Sequence, residues 1–247
     1  MKTKAGLPFV ARNGGAKHRP LHSYVSVIIP ALNEEMALAF VLDDLPRSSV
    51  NQILVVDNGS TDRTPEVGRS RGATVVLQPE RGYGAACLAG MEAIERETTI
   101  VVFLDGDYSD FPDELDKLLN PIIEGSADMV IGTRTQGSLS RSVLTPQQRW
   151  GNWLATTLIR LRFGHRFTDL GPFRAIRREA LDKLAMRDRS FGWTAEMQIK
   201  AVLAGLKIIE IPVRYRARIG TSKISGTIKG VILAGITILY TIFKYSV

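Results

Sequence analysis

An α/β fold around a mostly parallel sheet is what this sequence predicts, and three observations predict it. Short, continuous apolar runs recur at Val25–Ile29, Gln52–Asp57, Ala73–Leu77, Thr99–Leu104 and Met129–Ile131. Turn residues and helical patterns separate them, the layout of strands buried on both faces by crossover helices. The chain of 247 residues is 45% hydrophobic and 23% charged, enough for one sizeable core and unlike a disordered or fibrous chain. Its single cysteine, Cys87, allows no internal disulfide, and three histidines leave little for a zinc site.

Met1 to Tyr24 carries five basic side chains and no acid, and lacks the apolar core of a signal peptide, so it reads as a basic tail. After the first strand, turn chemistry at Pro30–Asn33 leads into a helix ending at Leu45. The second strand ends at Asp57, and the loop Asn58–Asp62 opens a helix that stops near Gly72. The third strand precedes a helix over Gly84 to Glu97. The fourth ends at Asp105, with Pro112 near the start of the next helix. Beyond the short fifth strand, Gln136–Thr145 reads as a loop and Pro146–Phe163 as a helix. Two further helices follow at 178–186 and 194–204, then a strand at Lys207–Val213. The run Val231–Phe243 is nearly all apolar and is flanked by Lys229 and Lys244. As a helix it spans only ~20 Å against ~30 Å of hydrocarbon. That suits a helix lying at a membrane interface, while docking on the core or pairing with a second copy stays open.

The net charge of +7 is unevenly spread. Residues 1–133 hold 12 basic and 19 acidic side chains, and residues 134–223 hold 18 and 6. An acidic front and a basic back suit a site that joins a cation to an anionic ligand.

Carboxylates gather at strand ends, where open α/β sheets bind ligands. Asp105 and Asp107, one residue apart after the fourth strand, can face one cation, and oxygen ligands favour Mg²⁺ or Mn²⁺. An isolated Asp-x-Asp is more often a loop in which one Asp caps the next helix. Here, however, Asp57 and Asp62 follow the second strand and Glu34 follows the first. Such crowding is costly without a cation or hydrogen-bond donors. Arg81-Gly-Tyr-Gly-Ala-Ala86 lacks the third glycine of a dinucleotide fingerprint and follows the wrong strand. Its glycines suit close helix packing beside a ligand, with Arg81 offering a charge.

Six segments then occur in a telling order: Val27–Glu34, Val55–Ser60 with Asp62, Asp105-Gly-Asp107, Gly132-Thr-Arg134, Thr168–Arg174 and Arg218–Lys223. Together they resemble glycosyltransferase family 2, most closely its polyprenyl-phosphate mannosyl- and glucosyltransferase branch. The resemblance covers roughly residues 24–230 and implies a GT-A fold, placed over 24–223; the apolar run Val231–Phe243 puts the membrane-interface helix over 224–247. The resemblance also implies a nucleotide-sugar donor (GDP-mannose or UDP-glucose), a divalent metal, a polyprenyl-phosphate acceptor, inversion at the anomeric carbon and a place at the cytoplasmic face of the membrane. By position, Pro30, Asn33, Glu34, Asp57 and Asp62 would surround the donor's base and ribose, and Asp105 and Asp107 the metal and diphosphate. Arg134 would meet the acceptor phosphate, and Arg218, Ser222 and Lys223 would close over the diphosphate. Two positions depart from the pattern. Ser109 stands where a metal-binding Gln is common, and Leu144 and Gln148 stand where an acceptor-phosphate Arg and Ser are expected.

An acceptor phosphate needs arginines rather than a base, whereas a sugar hydroxyl needs one, for which Asp169 and Glu196 are the candidates. Each serves equally well as a structural carboxylate. A pI near 9.7 raises nucleic-acid binding as a rival, but no recognition motif accompanies it. A nucleotidyltransferase using the same carboxylates is a third reading, distinguished by release of pyrophosphate.

Overall fold

The apolar runs form strands β1 (Val25–Ala31), β2 (Gln52–Asp57), β3 (Thr74–Leu77), β4 (Ile100–Phe103) and β5 (Met129–Thr133), joined by β6 (Arg174–Arg177) and β7 (Ile208–Pro212). The computed structural model describes residues 23–135, 143–220 and 228–246. The basic tail, most of the expected 136–145 loop, and Ser222 and Lys223 lie outside the described residues.

The helices are α1 (Leu38–Asp44), α2 (Thr64–Ser70), α3 (Tyr83–Glu92), α4 (Leu115–Ile123, entered through a 3-10 turn at Pro112–Glu114), α5 (Pro146–Phe163), α6 (Arg178–Leu184), α7 (Trp193–Leu203) and α8 (Ile228–Lys244). Thr145 and Gln148 form a reciprocal capping box at the start of α5, so the Gln148 side chain serves a helix end.

The sheet order is β3-β2-β1-β4-β6-β5-β7. β1 pairs parallel with β2 and β4, β2 with β3, and β5 with β7. β6 alone runs against its neighbours β4 and β5. The apolar pattern does not announce it, because Arg-Ala-Ile-Arg carries a charge at either end. Arg174 is nonetheless fully buried, donating to the Thr194 carbonyl at 3.2 Å and to that of Gly171. Burial pulls its guanidinium down to about 10.

Side chains alternate across the sheet with period two, so each strand feeds two cores. Val25, Val27 and Ile29 join Leu38, Val41 and Leu42 of α1 and Leu115, Leu118 and Ile122 of α4 on one face. Ile28, Val101 and Phe103 join Cys87, Ile159, Leu181, Trp193 and Met197 on the other. The chain passes from β1 out to β3 and then returns to β4 on the opposite side of β1, creating a crevice at their carboxyl ends. Because β6 is reversed, its first residue Arg174 lies level with Phe103, the last of β4. That delivers the 168–173 loop to the same edge.

The C-terminal apolar run is two-faced. Thr241 and Ile242 are buried and Ile238 and Tyr245 pack on the second core, whereas Leu233, Ile236, Tyr240 and Phe243 are exposed. Among the described residues, no helix is long and apolar enough to cross a membrane.

Candidate active site

A cleft of about 230 Å³ opens at the crevice beside β1 and β4. Of the residues singled out from sequence, Pro30, Glu34, Arg81, Asp105, Asp107 and Arg218 line it. Asn58, Tyr83 and Phe191 also line it and were not foreseen as site residues.

Asp105 and Asp107 are built differently although they are two residues apart. One Asp107 oxygen accepts the Ser109 amide at 2.9 Å and its hydroxyl at 2.6 Å, while the other lies 3.2 Å from the Arg218 guanidinium. Ser109 therefore braces a carboxylate from behind. Asp105 accepts a hydrogen bond from the Tyr83 hydroxyl at 3.0 Å. Burial, followed by the charge of Asp107, pushes the Asp105 carboxyl up to about 7. Two repelling carboxylates at a cleft wall fit a divalent cation that takes one or two protein oxygens and completes its shell with phosphates and water. Among the described residues no group of three His, Cys, Asp or Glu side chains forms an all-protein metal cage.

Arg218 spans the cleft, its second nitrogen 2.7 Å from Glu34. It sits at the end of a strap laid along the Asp107 loop. The Arg216 amide donates to the Ser109 carbonyl at 2.9 Å and the Ile219 amide to the Asp107 carbonyl at 3.0 Å. Arg216 covers the Tyr108 ring at 3.3 Å, and Arg214 covers Phe111 at 4.1 Å.

The donor-side polar residues divide into lining and scaffolding. Asn33 adopts a left-handed conformation (φ 53°) and its side chain accepts the Thr61 amide at 2.8 Å. Asp57 accepts the Ser60 amide at 3.1 Å. Asp62 accepts the Thr64 and Glu35 amides at 3.0 and 3.2 Å. Asn33 and Asp62 tie the loops after β1 and β2 together, Asp57 braces the second loop from within, and none of the three lines the cleft. Asn58 holds the next loop, donating to the Gln78 and Glu80 carbonyls at 3.0 and 2.6 Å and accepting from the Gly82 amide at 2.8 Å. Arg81 reaches back to the Gly59 carbonyl at 2.9 Å.

On the basic side, Arg134 and Asp169 form a bidentate pair. The Arg134 amide, Nε and Nη2 each lie 2.8 Å from an Asp169 oxygen. Asp169 is fully buried, and Tyr215 receives the Arg134 guanidinium over its ring at 5.1 Å. Glu210, Asn152 and Gln198 fix the loop that carries Asp169. They lie far apart in the chain, and no motif signals them.

Glu196 lies outside the cleft lining, fully buried. It accepts the Asp188 amide at 2.7 Å, the Tyr245 hydroxyl at 2.6 Å and an ion pair from Lys200 at 2.8 Å. Burial pushes its carboxyl up, but Lys200, Tyr245 and the backbone donors outweigh this and hold it below the ordinary value. A depressed native pKa contributes stability at neutral pH that is lost as pH falls through the ordinary carboxylate range. Glu196→Gln should therefore destabilise the protein by about 3 kcal/mol at pH 7. It should also flatten the stability profile between pH 5 and pH 3, as read by urea titration at each pH.

The family described as "Glycosyl transferase family 2" has a model that matches residues 26–185. An uncharacterised glycosyltransferase of Mycobacterium tuberculosis is 40% identical over 215 residues, covering 85% of this chain and 94% of that one. The dolichyl-phosphate hexose transferase of Haloferax volcanii is 34% identical over 203 residues, covering 81% and 86%. The undecaprenyl-phosphate mannosyltransferase of Micrococcus luteus is 30% identical over 229 residues, covering 86% and 92%. Among solved structures, glucosyl-3-phosphoglycerate synthase of M. tuberculosis shares the fold, with a TM-score of 0.71 over 91% of this chain and 80% of that one at 24% identity.

Proposed function

The chain belongs to glycosyltransferase family 2, and from that premise we propose that it moves mannose or glucose from a nucleotide-diphosphate sugar to a polyprenyl phosphate at the cytoplasmic face of a membrane. The observation that carries this reading is an acidic cleft wall, Asp105 and Asp107, with Arg218 paired to Asp107 and with Arg134 behind it, near enough for its charge to act on Asp105. Two relatives are named for transfer to or from such lipid phosphates. The related fold has been crystallised with Mn²⁺ and UDP-glucose.

Asp105 and Asp107 would hold Mg²⁺ or Mn²⁺, which supplies charge neutralisation of the diphosphate leaving group. Arg218, already on Asp107 and Glu34, needs only a short swing to meet the same diphosphate. Inversion requires the acceptor oxygen to attack the anomeric carbon from the face opposite the diphosphate. A phosphate monoester is anionic and needs no base, so its chief need is relief from repulsion by the donor. Arg134 offers that from a guanidinium pre-oriented by Asp169, whose oxygens are engaged in doing so. Asp110 offers no base for a hydroxyl acceptor: it is 1% exposed, lies outside the cleft lining, and burial pushes its carboxyl well up.

A place at the membrane surface finds support in two helices that touch one another. α5 exposes Trp150, Trp153 and Leu161, and α8 exposes Leu233, Ile236, Tyr240 and Phe243. At helical spacing each set forms one stripe, with aromatic rings suited to the headgroup region. Labelled donor, incubated with polyprenyl phosphate in vesicles, should yield label that partitions into organic solvent. Label confined to water-soluble product would favour the hydroxyl reading. Ile236→Glu with Phe243→Glu should cut vesicle binding at least tenfold and leave Tm within about 2 °C, because neither side chain is in the core. Unchanged vesicle binding would remove the membrane face, and a halved mass in solution would identify that stripe as a contact between two copies.

A further inference from the structure

The loop before α3 resembles a phosphate cradle in sequence, yet its backbone donors are already engaged. The Gly82 amide goes to the Asn58 side chain at 2.8 Å, Gly84 to the Ser190 carbonyl at 3.1 Å, Ala85 to the Arg189 carbonyl at 2.9 Å and Ala86 to the Gly82 carbonyl at 3.0 Å. The glycines have a different reason. A Cβ on Gly82 would lie 2.1 Å from the Arg189 carbonyl oxygen, and one on Gly84 would lie 2.1 Å from that of Asp188. Gly82 also takes φ +148°, which side chains rarely adopt. The pair therefore lets the 188–190 backbone dock directly on the first turn of α3.

Between those two glycines stands Tyr83, the first residue of α3. Its ring packs partly buried against the second core, and its hydroxyl donates to Asp105 Oδ1 at 3.0 Å. We propose that Tyr83 is a positioning residue for Asp105: the docked helix start holds the ring, and the ring hydroxyl fixes which carboxylate oxygen is turned to the cation. A tyrosine suits this task because two torsions define where its hydroxyl sits. Outer hydrogen bonds of this kind orient carboxylate ligands, and their loss typically costs 10–100-fold in metal affinity. The inference rests on the reading that Asp105 helps to hold a divalent cation with the donor diphosphate.

Tyr83→Phe removes one oxygen and keeps the ring, so Tm should shift by less than about 2 °C. Mn²⁺ binding in the presence of UDP or GDP, read from loss of the free-ion electron paramagnetic resonance signal, should weaken about tenfold in the variant. Nucleotide binding in EDTA should be the same in both proteins. If wild type binds Mn²⁺ tightly and Tyr83→Phe binds it equally well, the positioning role is overturned while the metal reading stands. If wild type takes up no Mn²⁺ with either nucleotide, the metal reading itself fails. Gly84→Ala gives an independent check: it keeps the hydroxyl but displaces the helix start, and should weaken Mn²⁺ binding at least as much. Unchanged binding there would separate Tyr83 from its seat and contradict the proposal.

Discussion

Asp107→Asn should retain the fold and lose turnover by a factor on the order of 10²–10³. The asparagine oxygen can still accept the Ser109 amide and hydroxyl that brace Asp107 from behind. What disappears is the negative charge that faces Arg218 and, with donor present, the cation. Arg218 is partly exposed and keeps Glu34 as a partner, so the stability lost should stay within about 1 kcal/mol. Steady-state rates and a thermal melt on one preparation check both halves. Turnover within twofold of wild type would remove Asp107 from the chemistry, and a collapsed melt would make it a structural residue.

Asp169→Asn should give the opposite pattern, with stability falling first. Asp169 is fully buried and receives three bonds from Arg134, whose side chain is only 15% exposed. Neutralising one partner leaves a desolvated guanidinium, at a cost of about 3–5 kcal/mol. For a chain of this size that corresponds to roughly 10 °C in Tm. Acceptor KM should rise along with it, since Arg134 loses the partner that aims it. A variant of native stability with abolished turnover would instead mark Asp169 as a base and favour a hydroxyl acceptor.

How much of this was legible in the sequence varies with the physics behind each feature. Strands β1, β2 and β4 could be read because both their faces are buried, leaving unbroken apolar runs. Asp105 and Asp107 could be read because carboxylates crowd strand ends only when something compensates them. β6 could not, since Arg174 is an arginine at a fully buried strand position, a placement paid for by carbonyls at Gly171 and Thr194 that lie in other elements. Asp57 and Asp62 stand out in sequence as candidate donor ligands, and the structure adds what no motif signals, that each also accepts backbone amides of the loop after β2. Tyr83 was in view within the glycine-rich stretch, but its role depends on the 188–190 segment, about a hundred positions away. Nothing local encodes that contact. The C-terminal run was legible as an apolar helix, whereas the division into a docked face and an exposed face follows from partners such as Glu196 and Asp188.

The central claim is that the donor diphosphate binds through a cation held on Asp105 and Asp107. Calorimetric titration of GDP and UDP, in Mn²⁺ and in EDTA, tests it most directly. One of the two nucleotides should bind at least tenfold more tightly with Mn²⁺ than with EDTA, and Asp107→Asn should erase that difference. Equal affinity in Mn²⁺ and EDTA, or a metal effect that survives in Asp107→Asn, would contradict it.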